Sequence, residues 1–113
     1  MHELGILVES VRRVEAVVEQ QGLTQVESLV LQIGEMASVV PYFIEQCYPA
    51  AVNGTRLENT RLVIEILPAN ARCRACGKVF HLEKDRRVCP DCGGGDWELL
   101  GGREFMIKEI VAC

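Results

Sequence analysis

The chain has 113 residues, 49% of them hydrophobic, and a formal net charge of -4. That is room for one small core plus a satellite module, too apolar for a disordered chain, and too acidic for a general nucleic-acid binder with its basic stripe. No apolar run approaches the roughly 20 residues of a membrane span, and Met1-His2-Glu3-Leu4 lacks the basic and apolar regions of a secretory signal, so a cytoplasmic location is expected.

The first predicted element is an amphipathic helix over residues 3–21. Leu4, Leu7, Val8, Val11, Val14 and Val18 recur at three- and four-residue intervals as one apolar stripe. Glu9 and Arg13 can pair four apart, and Gly22 is placed to end the helix in a left-handed conformation. Glu9, Glu15 and Glu19 read as a solvated helix face. Val26 to Ile33 is a predicted strand, with Leu29, Leu31 and Ile33 on one buried face. Pro41 suits a first helical position, and Tyr42 to Val52 reads as a second helix through Phe43, Cys47 and Ala51. Pro49 should kink or shorten it, and Asn53-Gly54 stops it. Arg61 to Leu67 is a second strand, and Glu104 to Val111 a third that returns to pair with the first two.

Between these last two strands lies the strongest motif. Cys73-Arg74-Ala75-Cys76 and Cys89-Pro90-Asp91-Cys92 form two C-x-x-C pairs, twelve residues apart. Such knuckles fold toward each other and present four thiolates to one Zn²⁺ in a closed structural site. Iron in a rubredoxin-like site uses the same ligands, and the spacing does not choose between the two. In a reducing compartment six cysteines read as metal ligands and free thiols. His81 lies between the pairs, but four thiolates already complete a shell, so it reads as a surface or packing histidine. Cys47 reads as a small core residue and Cys113 as an exposed terminal thiol.

The expected fold class is α+β: a small three-stranded sheet with two helices, plus an inserted zinc-ribbon-like module. The expected division is residues 1–70 and 101–113 as one domain and 71–100 as the zinc-binding module.

The N-terminus carries a second constellation. Met1-His2-Glu3 offers an α-amine, a backbone amide, an imidazole and a carboxylate. Amine and imidazole lose protons near neutral pH. Together with a deprotonated amide they form fused chelate rings, a planar nitrogen-rich set that suits Ni²⁺ or Cu²⁺ better than Zn²⁺. By itself a histidine at position two is better explained by a solvated terminus than by a metal site.

Met1-His2-Glu3 opening a helix, Gln32-Ile33-Gly34-Glu35 ending the first strand, and the two C-x-x-C pairs together resemble the HypA/HybF family of nickel metallochaperones for hydrogenase maturation. The resemblance covers essentially the whole chain. It implies nickel as cargo at His2, Met1 and Glu3, and zinc at Cys73, Cys76, Cys89 and Cys92. It implies delivery to the large-subunit precursor of a [NiFe]-hydrogenase together with the nickel GTPase HypB, some relatives also supplying urease. Many members carry an acidic residue where Val40 stands here, so a ligand from that position is lost. Urease-linked relatives tend to have histidines beside the zinc cysteines; here Gly77, Lys78 and Gly93 stand there, which favours a hydrogenase client.

Two other classes remain to be weighed. An enzyme has no support, since the cysteine quartet has no open position and no nucleophile–base pair is visible. A zinc-ribbon adaptor or nucleic-acid module would use Arg72, Arg74, Lys78, Lys84, Arg86 and Arg87 around the knuckles. A homodimer, with or without strand exchange, is left open by the sequence.

Overall fold

The computed structural model describes residues 3–112. The expected nickel ligands Met1 and His2, and the terminal Cys113, lie outside the described residues.

Helix α1 spans Glu3–Gln21 and buries Leu7, Ser10, Val11, Val14 and Val18. Leu4 and Val8, expected in the stripe, are 42% and 40% exposed. At about 100° per residue they fall to one side of the line through positions 7, 11, 14 and 18. Ser10 takes the buried slot instead and returns its hydroxyl to the Ile6 carbonyl at 2.9 Å. Gly22, at φ +65°, ends the helix. The Leu23 amide donates to the Val18 carbonyl and the Gly22 amide to Glu19, the paired bonds of a Schellman cap.

Strand β1, Val26–Gly34, is the centre of a mixed sheet of order β2-β1-β6. It runs parallel to β2, Arg61–Leu67, and antiparallel to β6, Phe105–Ala112. The last strand therefore pairs with β1 alone, where the sequence suggested both earlier strands. A parallel pair needs a crossover, which helix α2, Pro41–Val52, supplies.

Leu29, Leu31 and Ile33 on β1 have no exposed surface and pack with Leu7, Val14 and Ile44 under the two helices. Each such side chain contributes about 1.5–3 kcal/mol. The opposite face is covered less. There Gln32 and Lys108 converge on Glu65, Nε2 at 3.3 Å and Nζ at 2.9 Å from Oε1.

Inside α2 the buried positions are Ile44, Tyr48, Ala51 and Val52. Phe43 is 49% exposed, and Cys47 packs at the margin of the core. Pro49 does not shorten the helix: it sits on the exposed side with Glu45, where a carbonyl left without its helical donor is open to solvent.

Between β2 and β6 the chain builds a second sheet of order β4-β3-β5 from Asn70–Cys73, Val79–His81 and Trp97–Gly101. Its own core is small: Ala69, Ala71, Phe80, Leu82, Cys73 and Cys89. The Cα radius of gyration is 17.7 Å, well above the roughly 13 Å of a single ball of this length. The chain is thus two bodies in line, extending 54 Å.

Candidate metal centre

The two cysteine pairs form near-identical knuckles. In the first, the Cys73 amide donates to Lys78 and the Gly77 amide returns to Cys73; in the second, the Cys89 amide donates to Gly94 and the Gly93 amide returns to Cys89. Each tight turn needs a residue at positive φ after the second cysteine, and Gly77 and Gly93 supply it at +79° and +72°. In each knuckle the first cysteine is buried and the second exposed.

Folding brings the knuckles together. The four Sγ atoms lie within 4.8 Å of one another, with Cys73–Cys92 and Cys76–Cys89 at 3.5 Å. Sulfurs about 2.3 Å from a tetrahedral Zn²⁺ stand roughly 3.8 Å apart, which is close to the spacing of the quartet. A disulfide requires sulfurs at about 2.05 Å, and all four thiols are free.

The electrostatics point the same way. Amide hydrogen bonds, led by that of Cys76, bring the Cys73 thiol down to about 7. The Lys78 amide also favours a Cys76 thiolate, but the neighbouring Cys89, Cys73 and Cys92 thiols together with burial outweigh it and push that thiol up to about 12. Thiolates this close oppose one another's ionisation, and a dication at their centre relieves that opposition. The donor set is closed, which fits a structural role.

His81 stands outside the quartet. Its Nε2 lies 2.6 Å from Glu35 Oε1, at the joint between the two sheets. No periodic pattern announced this contact. Three of the six basic residues around the knuckles are engaged in ion pairs: Arg72 with Glu98, Arg74 with Asp96 and Arg87 with Glu83.

Glu3 is the one member of the expected N-terminal set among the described residues. It is the first residue of α1, and its Oε2 accepts the Val40 amide at 3.3 Å. Val40 is the N-cap residue of α2, so the starts of both helices meet here. The Val40 side chain offers no ligand and is 45% exposed; its backbone N–H is the group used.

Residues 1–112 match the family described as hydrogenase/urease nickel incorporation, metallochaperone, HypA. A hydrogenase maturation factor HypA from Streptomyces avermitilis is 39% identical over 112 residues, covering 97% of this chain and 86% of the relative. Another from Geotalea uraniireducens is 39% identical over 110 residues and 97% of both chains. Among solved structures, the nickel metallochaperone HypA from Helicobacter pylori superposes with a TM-score of 0.67 at 18% identity over 99% of this chain and 97% of that one. A second solution structure of a HypA protein gives 0.72 at 18% identity over 100% and 97%. These two likenesses establish the α+β fold with its attached cysteine module.

Proposed function

The chain belongs to the HypA family of hydrogenase/urease nickel-incorporation metallochaperones, and from that premise we propose that it carries Ni²⁺ at its N-terminus and hands it to the large-subunit precursor of a [NiFe]-hydrogenase. It is a maturation factor and not an enzyme. The ligands in this reading are the Met1 amine, the His2 amide and imidazole, and Glu3 close by. Cys73, Cys76, Cys89 and Cys92 hold the structural zinc. Residues 1–70 and 101–113 act as the cargo domain and 71–100 as the zinc-binding module. The nickel GTPase HypB is the partner in transfer.

The observation that carries the reading is the reach of the family match, which starts at Met1 and so includes Met1-His2-Glu3. Helix geometry adds support. Glu3 is an acidic residue in the first turn of α1. A cation beside a helix start faces the positive end of the macrodipole, an unfavourable interaction of about 0.3–1 kcal/mol that a first-turn carboxylate offsets. The balance suits a cargo site that must both capture and release. Protons compete for the same nitrogens, so acid should release the ion. No helix among the described residues is long and apolar enough to cross a membrane, and the protein works in the cytoplasm in this reading.

The test is equilibrium dialysis of wild type and His2→Ala against nickel, with metals measured by elemental analysis. The variant should lose nickel and keep zinc. A His2→Ala chain that bound nickel as tightly as wild type would refute the assignment.

A further inference from the structure

Two covalent crossings join the bodies: residues 67–70 lead into β3, and residues 101–105 lead out of β5. Both rest on the end of β1. The Glu35 amide donates to Leu67 at 2.9 Å, the Met36 amide to Gly102 at 2.7 Å, and the Gly34 amide to Glu104 at 2.7 Å. In the order β4-β3-β5 the two crossings enter neighbouring strands, and β4 has no direct chain connection to the first sheet. The orientation of the second sheet then depends on the further contacts made beside these two crossings.

Met36 packs against the second core, and the Glu35 side chain adds a polar tie. His81 ends β4 and stands in register with Asn70, itself in register with Gly101. Glu35 Oε1 accepts the Ala69 amide at 2.8 Å and lies 2.6 Å from His81 Nε2. One oxygen thus ties the entrance of β3 and the end of β4 to the end of β1. The two side chains are 24% and 30% exposed, so their bond is partly shielded from water. Nearby, Glu83 pairs with Arg87, and Glu104 accepts the Gly102 amide. From Glu35 the chain runs on to Val40, whose amide meets Glu3 at the start of α1.

We propose that Glu35 is a positioning residue: through His81 it locks the cysteine-bearing sheet into one orientation relative to the sheet that carries the N-terminus. The part that concerns cargo rests on the nickel reading above. A recipient then meets the two bodies in a fixed relation, and loosening the latch impairs delivery without touching the nickel ligands.

The test uses the zinc-loaded full chain and residual dipolar couplings. In wild type, both sheets should fit a single alignment tensor. His81→Ala leaves the Glu35–Ala69 bond in place, so the fold is retained, yet couplings of residues 70–101 should depart from that tensor. Zinc content and nickel affinity should stay as in wild type. Hydrogenase activity should fall in cells whose only copy is His81→Ala at limiting nickel. His81→Gln, whose amide can still donate to Glu35, should restore both readouts. The proposal is overturned if His81→Ala still fits the wild-type tensor, if its sheets loosen while hydrogenase activity is unchanged, or if His81→Gln is as loose as His81→Ala. Because the couplings are read without nickel, failure of the N-terminal nickel reading would leave the latch itself testable.

Discussion

Gly34 and Gly102 meet backbone to backbone at the joint between the two sheets. A Cβ on Gly34 would overlap the Gly102 carbonyl, and one on Gly102 would stand 2.6 Å from the Ala69 Cα. The obstacles are main-chain atoms, so neither site can yield by moving a side chain. Gly34→Ala should therefore cost more than about 3 kcal/mol, above the usual range for overpacking. Gly102→Ala adds the strain of φ +111°. Gly22→Ala is the control: its φ is +65° but nothing lies within 4 Å. It should cost only about 1–2 kcal/mol, the left-handed penalty alone. Urea denaturation of the three variants checks the order, and equal losses at Gly22 and Gly34 would contradict it.

Tyr48 ties α2 to the segment before β2. Its hydroxyl donates to the Thr60 carbonyl at 3.0 Å, and the Thr60 hydroxyl donates to Val26 at 2.8 Å. Burial pushes the phenol up to about 12. Tyr48→Phe removes this buried hydrogen bond and should lower stability by about 1 kcal/mol with nickel and zinc content unchanged.

Removing one thiolate should separate the bodies energetically. Cys89 is 1% exposed, within the small second core. Cys89→Ala should lose zinc and unfold residues 70–101, because that core is too small to stand without the metal. The first sheet and both helices should remain, since their core is distinct. Amide exchange measured across the chain reads this directly: protection lost in β3, β4 and β5 and retained in β1. Loss of protection throughout would show the two bodies to be one cooperative unit.

Acid should weaken the joint. Glu35 is held below the ordinary carboxylate value of 4.5, first by the His81 hydrogen bond and then by the Ala69 amide. Glu104 is lowered by the Gly102 amide, and Glu65 by Lys108 and then Gln32. A carboxylate with a depressed folded value contributes stability that is complete above the unfolded value and lost as pH falls through the folded one. The urea midpoint should therefore drop below about pH 4.5. The drop should be smaller in Glu35→Gln, which has no carboxylate to protonate. Parallel curves for the two proteins would contradict the contribution of Glu35.

The sequence reveals what local rules govern. Gly22 is readable because a helix end needs a left-handed residue, and the quartet because each knuckle closes within a few residues. The pairing of β6 with β1 alone was hidden, since apolar alternation marks a strand and not its neighbour. The short strands β3, β4 and β5, with three to five residues each, carry too little pattern to register. Pro49 misled because a proline's cost depends on which side of the helix it faces. The Glu35–His81 contact joins residues 46 apart, and no spacing rule reaches that far.

The central claim is that the cargo ion is held by the chain's own first amine. Acetylating the Met1 amine keeps His2, Glu3 and all four cysteines but removes the amine as a donor to the His2 chelate. Nickel titration of the acetylated chain, followed by calorimetry with zinc already bound, is the most direct measurement. Affinity should fall by at least tenfold, equivalent to about 1.4 kcal/mol of lost binding. Unaltered nickel affinity in the acetylated chain would place the cargo elsewhere.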